Sequence, residues 1–152
     1  MKTDPKARYQ GYTFYFREGF CWNLILHYED GQLIKCRAKG KSVNDVQSMS
    51  LYNQYKNVSN KLLVAVLNSK LMYDYLKIFI NNTCALQIGD IRQLPIVIPT
   101  QEQLQAFEAI FDRAYNLQVE KFTKGIDNTQ KLESLQDELN ATTLALYSCN
   151  GL

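Results

Sequence analysis

Four cations at alternate positions, Lys35, Arg37, Lys39 and Lys41, are the residues whose type and spacing could do chemistry. A strand turns successive side chains to opposite faces, so a period of two lines all four along one side of a sheet. There they could neutralise successive phosphates, while Arg37 could fork onto a guanine edge in the major groove. The competing reading is that their stems cover the sheet while their charged heads sit in water. Tyr15 and Arg17 on the aromatic stretch before them, and Ser42 and Asn44 in the polar segment after them, complete a candidate DNA-binding set.

Catalytic patterns are missing from the sequence. It contains no GxGxxG, GxxxxGK[ST], HExxH or GxSxG, and no NPPY or DPPY. Asp45, Asp74 and Asp90 are isolated carboxylates, so paired acid–base work has no candidates and a stand-alone enzyme is not expected. His27 lies in an apolar run without an evident orienting partner or nucleophile, which favours a packed side chain. Cys21, Cys36, Cys84 and Cys149 form no CxxC pair, so a zinc site and a thioredoxin-like motif are both disfavoured and small buried hydrophobes are expected.

Strand patterning must position the cations. Tyr12 to Arg17 alternates with a strand period, Glu18-Gly19 turns the chain, and Phe20 to Tyr28 alternates again. Eight of the 18 aromatic residues fall between positions 9 and 28, which predicts a sheet with an aromatic-rich face. Trp22 is read as core. Asp30-Gly31 predicts a two-residue hairpin loop that sets Leu26 opposite Lys35, Leu24 opposite Arg37 and Trp22 opposite Lys39. The other face gets Ile25, His27, Ile34, Cys36 and Ala38, and a one-residue slip would exchange the two faces. Residues 40–55 read as a polar loop with room for one short strand.

From Ser59 the periodicity becomes helical, with Leu62, Leu63, Val66, Leu67 and Leu71 on one face and a break at Asn68-Ser69. The second helix is expected to carry Leu71, Tyr75, Ile78 and Phe79. Residues 84–99 then form a junction, in which Gly89-Asp90 predicts a turn and Pro95 to Pro99 a strand. Thr100 and Gln103 form a capping box, Leu104, Phe107, Phe111 and Ala114 a buried stripe, and Gly125 a stop. Asp127 or Asn128 caps a last helix with Leu132, Leu135, Leu139, Thr142 and Leu146 inward. Two such helices joined by a short linker predict an antiparallel pair.

The 152 residues suffice for one good core, and a hydrophobic share of 46% with 21% charged fits a folded globular chain. The net charge of +2 hides an asymmetry. Residues 1–95 carry 13 basic against 7 acidic residues, and residues 96–152 carry 4 against 8. A basic front suggests a polyanion-facing surface on that part alone. No apolar run is long enough to span a bilayer and no signal-peptide core opens the chain, so a cytoplasmic location is expected, without membrane partners. The fold class expected is α+β: a small, mostly antiparallel sheet with packed helices over 1–99, the DNA-recognition part, followed by a C-terminal antiparallel helical pair over 100–152 as support.

The order of LLVAVLNSKLMYDYL (62–76), LQIGDIRQLPIVIP (86–99) and a Gln/Glu-rich helix resembles the C-terminal specificity region of restriction-modification adenine methyltransferases. That group includes fused type IIG enzymes and phage-exclusion methylases. GFCWNLI, GQLIKCR and the closing LYSCNGL are similar to further elements of the same region. The likeness covers about residues 19–152, with Asn23 and Cys36 departing from the family pattern. It implies a target recognition domain that binds double-stranded DNA and presents an adenine to a methyltransferase pocket built elsewhere. No cofactor is expected in this chain itself, S-adenosylmethionine belonging to that methyltransferase domain, whether in a longer parent chain or a partner subunit. Type I specificity subunits use similar junctions and helical spacers, so the alternative is an interaction module that docks a methyltransferase through its C-terminal helices.

Overall fold

The computed structural model describes residues 11–27, 31–43 and 48–148. Three short strands form an antiparallel sheet in the order β2-β1-β3, with β1 at Gly19–Asn23, β2 at Arg37–Lys39 and β3 at Ser48–Leu51. Helices α1 (Asn60–Leu67), α2 (Lys70–Tyr75), α3 (Ile88–Ile91), α4 (Gln101–Lys124) and α5 (Thr129–Ser148) follow. The class is α+β, with α4 and α5 packed together as an antiparallel pair. One hydrophobic cluster runs from Phe20 and Trp22 through α1 and α2 to Phe107, Leu139 and Leu146. No helix among the described residues is long and apolar enough to cross a membrane.

Local capping explains the helices. Ser59 accepts from the Leu62 amide to start α1, and Ser69 accepts from Met72 to start α2, so the predicted break at Asn68-Ser69 is real. Thr100 and Gln103 exchange both bonds of a capping box, and Gly125 ends α4 with φ 68. The 24 residues of α4 make it about 36 Å long. Asp127 Oδ1 accepts from the amide and hydroxyl of Thr129, which holds its carboxyl below the usual carboxylate range. In α5 the buried position is Thr143 rather than Thr142, and Leu132 is only half-buried.

Several expectations are corrected. Tyr12 to Arg17 is not a strand. Gly11 and Tyr12 accept from Phe14 and Tyr15 in a 3-10 turn at Tyr12–Phe14, and both edges of β1 are already taken by β2 and β3. The Gly89-Asp90 turn lies inside the single-turn helix α3, where the Asp90 carboxylate accepts from the Gln87 amide at 2.7 Å and from Asn81 at 2.8 Å. Pro95 to Pro99 joins no sheet. Instead the Tyr147 hydroxyl donates to the Pro95 carbonyl at 2.6 Å, and burial raises its pKa. Ile78 and Phe79 are exposed on a π-helical turn, Leu76–Ile80, while Met72 and Leu76 face the core. Of the cysteines, Cys36 is buried and its thiol pKa raised by desolvation, Cys21 is half-buried and Cys84 is exposed; Cys149 lies outside the described residues.

The largest correction is the hairpin register. Gly19 pairs with Lys39, Phe20 with Ala38 and Cys21 with Arg37, three residues away from the expected pairing. An odd displacement exchanges the faces. Its cause is competition for the second half of the apolar run: Leu24 and Leu26 leave the sheet to bond Leu86 and Cys84, at 2.7 and 2.9 Å. Leu26 stays buried, and Ile34 and Cys36 join it in the core. Gln32 and Lys35 adopt φ 58 and 54, so the stretch before β2 is not a regular strand. Asp30 lies outside the described residues.

Candidate nucleic-acid interface

Antiparallel pairing puts Phe20, Trp22, Met49 and Leu51 on the face that meets the helices. The opposite face carries Cys21 and Asn23 of β1, Arg37 of β2, and Ser48 and Ser50 of β3. These side chains are small and polar, with one guanidinium among them. Arg37 Nη2 donates to Asn23 Oδ1 at 2.7 Å. A guanidinium carries five N–H donors in a fixed fork, so the remaining donors of Arg37 can meet a guanine edge or a phosphate. A methyl group at Gly19 would collide with the Leu51 carbonyl oxygen, so the close approach of β1 and β3 that builds this face needs glycine there.

At the Gly19/Lys39 end of the sheet, several candidate residues converge on Lys39. Its side chain is only 8% exposed, and its ammonium donates to the carbonyls of Ser42 at 2.9 Å, Arg17 at 3.3 Å and Gly40 at 3.4 Å. Lys39 therefore ties the loop before β1 to the loop after β2. A column of stacked groups reinforces the tie: the Arg17 guanidinium lies 5.3 Å from the Phe14 ring centre, Phe14 stacks on Tyr52 at 5.2 Å, and Lys39 Nζ lies 5.7 Å from the Tyr52 ring. Arg17, Lys41 and Ser42 are exposed around this hub, and Tyr15 is half-buried. Lys35 is exposed on the irregular stretch before β2. Asn44 lies outside the described residues.

The structure thus brings Arg17, Lys39 and Ser42 together, sets Arg37 on the polar sheet face, and leaves Lys35 off the sheet. Sequence reasoning missed Asn23 as the partner of Arg37, and Ser48 and Ser50 as members of the same face. Their signal was the alternation Ser48-Met49-Ser50-Leu51, a strand with polar side chains outward. Lys39→Met keeps the apolar stem and removes the ammonium, and is expected to lower stability by about 1.5–3 kcal/mol, the scale of hydrogen bonds to a charged group. Arg37→Ala is expected to unfold at the wild-type midpoint, so equal midpoints for Lys39→Met and wild type in urea would show that the hub is not holding the loops.

The two motifs that carried the family likeness have structural work of their own. In Leu67-Asn68-Ser69-Lys70, the Asn68 amide pairs with both backbone groups of Cys36, each at 2.7 Å, much as a neighbouring strand would. Ser69 caps α2 and Lys70 pairs with Asp74. From α5, Gln136 donates to the Asn68 carbonyl at 3.0 Å and Asn140 accepts from the Lys70 amide at 2.9 Å. In the 86–99 segment, Leu86, Ile91 and Leu94 are buried, and the Leu86 carbonyl accepts from Trp22 Nε1 at 3.1 Å. Among the described residues no group of three or more His, Cys, Asp or Glu is placed to hold a metal ion. Comparison of the chain with protein-family models, with curated proteins and with solved structures finds no match.

Proposed function

We propose that this chain is a target recognition domain that binds double-stranded DNA in the service of an adenine methyltransferase, and that it acts in the cytoplasm. The observation that carries the reading is the outward sheet face: Arg37 bonded to Asn23, Ser48 and Ser50 across β1 on the same face, and Arg17 and Lys41 exposed at its end. Short polar side chains let a duplex approach a sheet closely, and the cations supply the phosphate contacts that position it. The two ordered motifs support the same reading by what they hold in place, since Asn68 fixes the chain entering β2 and Leu86 fixes Trp22 beneath the face. Methyl transfer and its S-adenosylmethionine belong to a methyltransferase domain or subunit outside this chain. A gel shift with mixed-sequence duplex at low salt tests the proposal. Wild type is expected to shift the duplex and the Lys35, Arg37, Lys41→Ala variant to shift it at least tenfold more weakly; equal shifts would remove this face from the interface.

A second reading is favoured by one feature of α4. Tyr115, Val119 and Phe122 recur at spacings of four and three and remain exposed, Phe122 at 82%. Such a stripe suits a helix that docks on a partner, here the methyltransferase. The two readings are compatible, because a recognition domain must be positioned by something. Phe122→Glu is expected to leave stability within about 0.5 kcal/mol and duplex binding unchanged, as for most exposed positions, while abolishing co-purification with the methyltransferase. Retained co-purification would exclude α4 as the docking face.

A further inference from the structure

Phe16 combines an unusual backbone conformation with an exposed aromatic side chain. Its φ of 59 lies in the left-handed region, where a bulky aromatic residue is a genuine outlier. Its side chain is 61% exposed. Strain of this kind persists only where the surroundings over-determine it, and here they do. The Phe16 amide donates to the Ser42 carbonyl at 3.0 Å. The buried Lys39 ammonium grips the next carbonyl along, that of Arg17, together with that same Ser42 carbonyl. On the other side, the 3-10 turn at Tyr12–Phe14 is anchored by the stacking of Phe14 on Tyr52. The result is an apolar tip on a braced loop, next in sequence to Arg17 and braced by the loop that carries Lys41, both exposed.

The geometry points to Phe16 as an apolar wedge that inserts into a base step of duplex DNA, with Arg17 and Lys41 on the flanking phosphates. A rigid presentation suits this task, because an inserted ring must unstack a step and a yielding loop would fold back instead. Apolar side chains that enter between base steps kink the duplex, and pyrimidine–purine steps yield most easily. The inference rests on the DNA-binding reading and adds to it the residue that deforms the helix.

The test uses the full chain and a duplex selected by the wild-type protein from a randomised pool, with 2-aminopurine placed in turn at each purine of the selected site. Wild type is expected to raise the fluorescence several-fold at one step, as the reporter base loses its stacking partner. Phe16→Ala, checked for native circular dichroism, is expected to bind the same duplex within about tenfold without that rise, and Phe16→Trp to restore it. Wild-type binding with no rise at any position, or an undiminished rise with Phe16→Ala, would overturn the wedge while leaving DNA binding intact. Selection of no duplex by wild type would instead overturn the DNA-binding reading itself, and the wedge with it. Unchanged fluorescence together with loss of methyltransferase association in Phe16→Ala would reassign the ring to a protein contact.

Discussion

Trp22→Ala is expected to destabilise the protein by about 3–5 kcal/mol, the range for removing a large buried aromatic side chain. Trp22 has no exposed surface, and it joins the sheet to the junction. Its ring packs at 6.2 Å from Phe20 on the inner face of β1, and its Nε1 donates to the Leu86 carbonyl at the start of the junction. Truncation therefore opens a cavity and leaves a buried carbonyl without its donor. Small domains are stable by roughly 5–15 kcal/mol, so a loss of this size brings the chain near half-unfolding in mild denaturant. Because Trp22 is the sole tryptophan, unfolding must be followed by far-UV circular dichroism rather than by indole fluorescence. Trp22→Phe separates the two contributions, keeping most of the volume and losing the bond, with an expected cost of about 1–3 kcal/mol. A shift of less than about 1 kcal/mol for Trp22→Ala, well below the range for a buried aromatic, would mean that the sheet and the junction do not share this core.

Asn68→Ala is the second large effect, expected at about 2–4 kcal/mol from the two hydrogen bonds it removes. The Asn68 amide gives Cys36 both a donor and an acceptor, and Cys36 is itself buried with its thiol pushed toward the neutral form by desolvation. Without Asn68 the Cys36 amide and carbonyl lose that partner, and the chain entering β2 loses its tether to the helix break. Asn68→Asp is a sharper probe than Ala. It keeps an acceptor for the Cys36 amide but turns a carboxylate oxygen toward the Cys36 carbonyl, so it is expected to cost at least as much as Ala. Full stability of Asn68→Asp in urea unfolding would show that the two bonds to Cys36 do not hold the chain entering β2.

Helix placement was legible in the sequence because its determinants are local. Ser59, Ser69, Thr100 and Gly125 lie within a few residues of the groups they satisfy, and the 3.6-residue pattern names most of the buried faces, with Ile78, Phe79 and Thr142 as its misses. The α+β class and the helical pair followed from that. Strand register was not legible, because it is decided by partners far along the chain. Leu24 and Leu26 alternate as a strand should, yet Leu86 and Cys84 claim their backbone groups, and Ile34 and Cys36 join Leu26 in the core. The same long-range pairing turned Lys39 from a presumed phosphate ligand into the buried clamp of two loops. Arg37 and Lys41 were expected on the face of Trp22, Leu24 and Leu26; both are exposed, as is Arg17, but Arg37 lies on the side of the sheet away from Trp22. Phe16 was read as part of an alternating strand, and only its backbone angle sets it apart.

The central claim, that the Arg37 face with its Arg17 and Lys41 rim engages duplex DNA, is tested most directly by the salt dependence of binding. Fluorescence anisotropy of a labelled duplex, titrated with wild type and with the Lys35, Arg37, Lys41→Ala variant at several salt concentrations, gives the slope of log K against log salt for each. Each phosphate neutralised contributes a slope of about −0.9. Wild type is predicted to bind with a clearly negative slope and the variant with a slope shallower by about 2 to 3. Identical slopes for the two proteins, or no binding by wild type at the lowest salt, would contradict the account.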